Sequence, residues 1–255
     1  MSRTTTESAV SVKKLAGSGV ARAVRCDFAP GSLDHILFVL RELDAAYGFG
    51  DLPQGSFATG EPLDGLVLTL LSQNTNDRNR DMAYRALRAA HPSWQEVAAL
   101  PASRVAELIR PAGLGDTKAA RMIEILDRIR RDFGEFSLRA MFAWTPAQVR
   151  ECLSGLPGIG PKTVACVMVF DLGMAAFPVD THVARVSIRL GWAREKTPPH
   201  KIQDFLEAVV PPEHCAAGHL NMIEHGRRVC RARSPLCERC PINAACPQGE
   251  MEVTE

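Results

Sequence analysis

The sequence predicts an all-α protein. Three observations carry this: apolar residues recur at helical spacing, capping residues stand at the starts of those segments, and clear alternating strands with hairpin turns are absent. With 255 residues, 46% hydrophobic and 23% charged, the chain has material for one large core or two smaller ones.

Ser32 precedes a segment that sets Ile36, Leu40, Leu43 and Tyr47 on one face and stops at Gly48, so it reads as a capped helix. Leu66 to Leu71 is nearly all apolar, which predicts a buried helix ending near Ser72 and Gln73. Thr117 to Phe133 carries a broad stripe of Ala120, Ile123, Ile125, Leu126 and Ile129. Trp144-Thr-Pro-Ala-Gln opens another helix, with Thr145 as N-cap, Pro146 at N1 and Gln148 closing a capping box. Loops are expected at 48–63, 111–117, 155–161 and 191–200, and throughout the cysteine-rich end.

The first 28 residues differ in kind. They are rich in Ser, Thr, Ala and Val, and carry Arg3, Lys13, Lys14, Arg22 and Arg25 against Glu7 and Asp27. No apolar stretch there has secretory length, so residues 1–28 read as a flexible basic extension of a cytoplasmic protein, with a transit peptide as the alternative. No apolar run approaches the ~18 residues that a membrane helix needs. The formal charge is only +1, so any nucleic-acid contact must come from a local patch.

Leu156-Pro-Gly-Ile-Gly-Pro-Lys-Thr163 lies between two predicted helices. Pro161 suits N1 of the second helix, and Gly158 and Gly160 allow torsions and close approaches that other residues resist. Amides at the new helix start lack intrahelical partners and suit a phosphate. Lys162 falls at N2, where the positive helix end disfavours an ammonium and so favours a nucleophilic amine. Alone, such a turn is more often an ordinary connection with a solvated lysine. Eighteen residues on, Asp180 opens Asp-Thr-His-Val. It suits an N-cap, and it could equally face the lysine and accept its proton.

Four of the eight cysteines, Cys230, Cys237, Cys240 and Cys246, crowd into seventeen residues with 6-2-5 spacing. Four soft ligands fit zinc or an iron–sulfur cluster, and the unequal spacing favours wrapping around the larger cluster. Arg227, Arg228, Arg231, Arg233 and Arg239 accompany them against one acid, Glu238, which suggests a phosphate-binding surface.

Together these motifs resemble the endonuclease III family of DNA repair glycosylases, over about Ser32 to Cys246. The hairpin L-P-G-I-G-P-K-T, the segment V-D-T-H and the spacing C-x6-C-x2-C-x5-C each match in order. The resemblance implies a catalytic lysine at Lys162, a catalytic aspartate at Asp180, and [4Fe–4S] ligation by Cys230, Cys237, Cys240 and Cys246. It implies DNA contacts from Gly158, Gly160, Thr163 and His182, and from Arg227, Arg228, Arg231 and Arg233. In Leu-Leu-Ser-Gln-Asn-Thr-Asn-Asp, either Asn74 or Gln73 would fill the space of a flipped base. Leu114 would enter the opposite strand, or else make a helix-packing contact. Pro161 departs from the basic residue often found before the lysine.

The implied architecture is two helical lobes with a DNA-binding cleft between them. A six-helix barrel with the hairpin would span 62–173, and an iron–sulfur domain would combine 29–61 with 174–255. The implied activity is a bifunctional glycosylase and abasic-site lyase acting on oxidised pyrimidines in double-stranded DNA, as a monomer. The alternatives are an adenine- or mismatch-specific glycosylase of the same superfamily, or a non-catalytic iron–sulfur DNA-binding protein.

Overall fold

The computed structural model describes residues 27–50 and 60–250. The basic extension, Cys26 and part of the loop expected at 48–63 fall outside them. Among the described residues there are eleven α-helices and no strand, as the sequence predicts.

Helix α1 (Leu33–Tyr47) begins where Ser32 Oγ accepts the His35 amide, and ends on a left-handed Gly48. Helix α2 (Pro62–Ser72) buries Pro62, Leu63, Gly65, Leu66, Val67, Leu70 and Leu71. Then follow α3 (Asp77–Ala90), α4 (Trp94–Ala98), α5 (Ala102–Leu108) and α6 (Gly115–Phe133). Helix α7 (Pro146–Ser154) opens with the expected Thr145–Gln148 capping box. Helix α8 (Pro161–Cys166) runs on into a π-helical turn at Val167–Asp171. Helices α9 (Thr181–Arg189), α10 (Pro199–Val209) and α11 (Pro212–Arg228) precede a series of 3₁₀ turns that carry three of the clustered cysteines or their neighbours.

Two expectations need correction. The stripe of α6 buries Lys118, Ala119, Met122, Ile125, Leu126 and Ile129, whereas Ala120 is exposed and Ile123 only half-buried. The face is thus rotated, because a lysine occupies a position that apolar periodicity alone passes over. The loop expected at 111–117 is also shorter, since α6 starts at Gly115, against the backbone of Ala106.

Buried apolar side chains form two clusters. One draws on α2 to α8 and ends at Ala176. The other starts again at Phe177, joins α1 to α9, α10 and α11, and reaches Ile242 and Ala245. Burial of one Leu or Ile in such a core contributes about 1.5–3 kcal/mol. Polar bonds fasten α1 to this second cluster. Trp192 Nε1 donates to His35 Nδ1 at 2.9 Å, which leaves His35 Nε2 to donate to Ala245 O at 2.8 Å. Across the two clusters, Glu207 of α10 accepts from Arg150 of α7 at 3.0 Å and from the Phe177 amide at 3.2 Å.

Candidate functional site

The hairpin between α7 and α8 is built by its glycines, though not equally. Gly158 has φ +71, the left-handed region that favours glycine, and the Arg121 side chain lies over its bare α-carbon. Gly160 is the N-cap of α8 with φ −94 and ψ 174, extended backbone that any residue adopts, and a Cβ there would meet open space. The expectation that both glycines are demanded by torsion therefore holds only for Gly158. Gln73 Nε2 donates to Gly158 O at 3.3 Å, so the end of α2 is tied to the hairpin.

Lys162 is half-buried at the second position of α8, as the sequence predicts. Thr163 is only 4% exposed, which removes its side chain from direct surface contact. Asp180 caps α9, with Oδ1 accepting the His182 and Val183 amides at 2.8 Å each. The cap uses one carboxylate oxygen and leaves the other for a second partner.

Lys162 and Asp180 act electrostatically on the same two buried groups. Burial pushes the Cys166 thiol up, while the Lys162 amine beside it pulls it down and Asp180 raises it. His219 is lowered to about 4, first by burial and then by the Lys162 charge, with Asp180 opposing. Its Nδ1 lies 2.7 Å from Pro178 O, so Nδ1 carries the proton and Nε2 of the neutral ring is an acceptor. His219 is 2% exposed on α11. Sequence reasoning passed over it, and a lone histidine on an apolar helix face gives no warning.

The two base-gap candidates part company. Gln73 is occupied by the hairpin, whereas Asn74 is exposed with φ +53. Leu114 also has positive φ, +51, and is 58% exposed, so it makes no buried packing contact.

His182 is half-buried and bonded through Nδ1 to Arg185 at 3.0 Å. Arg185 in turn donates to Gly226 O at 2.8 Å and Cys230 O at 2.9 Å. Arg227 and Arg228 belong to the last turn of α11 rather than to the cysteine loop. Both also have acidic partners, one distant in sequence and one a helical turn earlier. Arg227 pairs with Asp77 at 2.9 Å, and Arg228 pairs with Glu224. Arg231, Arg233 and Arg239 are exposed.

Cys230, Cys237, Cys240 and Cys246 all line one cavity of about 320 Å³. Arg189 donates to Cys230 Sγ at 3.3 Å. Tyr47 Oη lies 2.9 Å from His225 Nδ1, whose Nε2 lies 3.7 Å from Cys240 Sγ. Among the described residues, no three His, Cys, Asp or Glu side chains are grouped so as to hold a single metal ion. Four thiols around one shared cavity fit a multi-atom cluster in size and softness.

The HhH-GPD superfamily of base excision DNA repair proteins matches residues 67–212. A putative DNA glycosylase of Arabidopsis thaliana is 33% identical over 189 residues, 74% of this chain; the chain spans 62% of that relative's length. Endonuclease III of Thermotoga maritima is 33% identical over 186 residues, 73% of this chain and 83% of that protein. Among solved structures, a trapped covalent intermediate of endonuclease III with DNA superposes with TM-score 0.73 at 26% identity, covering 87% of this chain and 98% of the other. A non-covalent endonuclease III–DNA complex gives 0.74 at 26% identity, covering 88% and 99%. The hairpin, the capped aspartate segment and the four-cysteine cavity thus sit in an endonuclease III-like protein, and the chain belongs to the HhH-GPD superfamily of base excision DNA repair glycosylases.

Proposed function

We propose that the chain is a bifunctional DNA glycosylase and abasic-site lyase that removes oxidised pyrimidines from double-stranded DNA. The observation that carries this reading is the convergence of Lys162 and Asp180 on the same buried pair, Cys166 and His219, behind a hairpin with open space at Gly160. A non-catalytic DNA-binding protein would keep the hairpin but would not require Lys162 and Asp180 together.

DNA crosses between the two apolar clusters, a reading that divides the chain into 62–173 against 29–61 with 174–255. The hairpin amides face a backbone phosphate, and the empty space beside Gly160 admits its close approach. The damaged base leaves the stack, at a cost of a few kcal/mol that is smallest for poorly paired bases. Asn74 fills the vacated space and Leu114 enters beside the opposite base, both being exposed and already projecting from their loops.

Lys162 Nζ then attacks C1′ of the deoxyribose as the C1′–N bond breaks, and the base departs with that electron pair. The nitrogen loses one proton, its lone pair then expels the ring oxygen by breaking the C1′–O4′ bond, and O4′ takes up a proton, leaving an iminium between Lys162 Nζ and C1′. Asp180 receives a proton and stabilises positive charge on the sugar through the carboxylate oxygen that the helix cap leaves over. Loss of a C2′ proton expels the 3′ phosphate and nicks the strand. Cys230, Cys237, Cys240 and Cys246 would hold a [4Fe–4S] cluster. When bound, it supplies cross-links that order the loop bearing Arg231, Arg233 and Arg239, rather than reaction chemistry.

Single-turnover nicking of duplexes that each carry one lesion tests the substrate. Cleavage at oxidised pyrimidines and at abasic sites, ending in β-elimination products, is the expected outcome. Cleavage confined to an adenine or thymine mismatch would move the chain to another branch of the superfamily.

A further inference from the structure

Among the described residues, one of the largest fully buried side chains is a lysine. Lys118 lies in the first turn of α6, 1% exposed, among the apolar side chains of the first cluster. Its Nζ donates to two backbone carbonyls, Leu71 O and Ala112 O, at 2.8 Å each. Burying an ammonium costs several kcal/mol, and two neutral carbonyls offset that only in part, so burial lowers its pKa. A methionine would fill the same volume at less cost. The cation is therefore retained for what it holds.

What it holds is specific. Leu71 is the penultimate residue of α2, three residues before Asn74. Ala112 ends a 3₁₀ turn, two residues before Leu114. Asn74 and Leu114 are two of only four non-glycine residues with positive φ among the described residues, and both are exposed. Left-handed backbone costs a leucine roughly 1–2 kcal/mol and persists only where the surroundings impose it. One ammonium thus grips, from behind, the roots of both strained projecting loops.

We propose that Lys118 is a positioning residue that couples the Asn74 and Leu114 loops, so that both enter the duplex as one unit. This rests on the glycosylase reading of the site. Holding both carbonyls within bonding distance of one nitrogen fixes the separation of the two projections. Neither loop then has to be ordered when DNA binds, which lowers the cost of flipping a base that is still paired.

The test compares single-turnover nicking of a paired oxidised pyrimidine with nicking of an abasic site placed in an unpaired bubble, where nothing needs to be flipped. Lys118→Met should lower the paired rate roughly tenfold more than the bubble rate, a coupling of ordinary size. Equal losses on the two substrates, or no loss, would overturn the proposal. A double-mutant cycle of Asn74→Ala and Leu114→Ala in the otherwise wild-type chain gives the same information if Lys118→Met folds poorly. Non-additive losses on the paired substrate support the coupled unit, and additive losses refute it. Wild-type protein that nicks neither duplex defeats the glycosylase reading itself, and the coupling with it.

Discussion

Gly158 carries the side chain of Arg121 on its bare α-carbon: a Cβ there would fall 2.8 Å from Arg121 Cδ and 2.9 Å from Nε. Two residues on, Gly160 has open space in place of a neighbour. The two hairpin glycines therefore differ: a folded side chain covers one, and the other faces open space.

Gly158→Ala should destabilise the protein by about 1–2 kcal/mol from its left-handed torsion, with a further displacement of Arg121. Gly160→Ala should cost only the difference in capping between glycine and alanine, because its φ of −94 suits either residue, while weakening binding to an abasic-site duplex. Thermal melts and DNA titrations of the two variants check both statements. Unimpaired DNA binding by Gly160→Ala would contradict the phosphate reading of that space.

Asp180 serves two proposed roles that substitution separates. Asn caps helices about as well as Asp, so Asp180→Asn should keep α9 intact while lowering strand nicking at least ~10²-fold. Asp180→Ala should lose the activity and also about 0.5–2 kcal/mol of stability. Chemical denaturation alongside nicking rates distinguishes them, and an active Asp180→Asn would reduce Asp180 to a cap.

The buried carboxyl of Asp171 sets a pH dependence. Burial, with the Asp64 charge behind it, raises its pKa from 3.8 to about 8, and the carboxylate packs against Gly65. The folded protein keeps this proton to about pH 8, whereas the unfolded chain releases it near 3.8. In that window the unfolded state binds fewer protons, so this group's contribution to stability falls as pH rises, at most about 1.4 kcal/mol per pH unit. Asp171→Asn should flatten that fall and raise the melting temperature at pH 8 relative to wild type. Parallel melting curves at pH 5 and pH 8 would refute the assignment.

Protein purified anaerobically should be brown and should contain iron and acid-labile sulfide. Cys240→Ala should lose colour and weaken DNA binding as the arginine-bearing loop loosens. A colourless preparation containing zinc would replace the cluster with a single ion.

Much of this was legible because it is local chemistry. Ser32 and Thr145 each cap the helix they precede, and Pro161 starts α8 at the place its ring suits. The four cysteines are close in sequence, so one shared cavity was readable from their spacing. What was not legible depends on distant partners. Lys118 bonds a carbonyl 47 residues away, and a lysine in a helix ordinarily reads as surface. Arg227 belongs on paper to a free basic cluster, yet its partner is Asp77, 150 residues earlier. Gly158 and Gly160 look alike in sequence and differ only once Arg121 is folded against one of them.

The proposed chemistry rests on the amine of Lys162. Borohydride added during reaction with an abasic-site duplex should reduce the imine and leave a stable protein–DNA adduct. Wild-type protein should give that adduct, and Lys162→Gln, folded and still binding DNA, should give none. No adduct from the wild type, or an undiminished adduct from Lys162→Gln, would contradict the lysine mechanism.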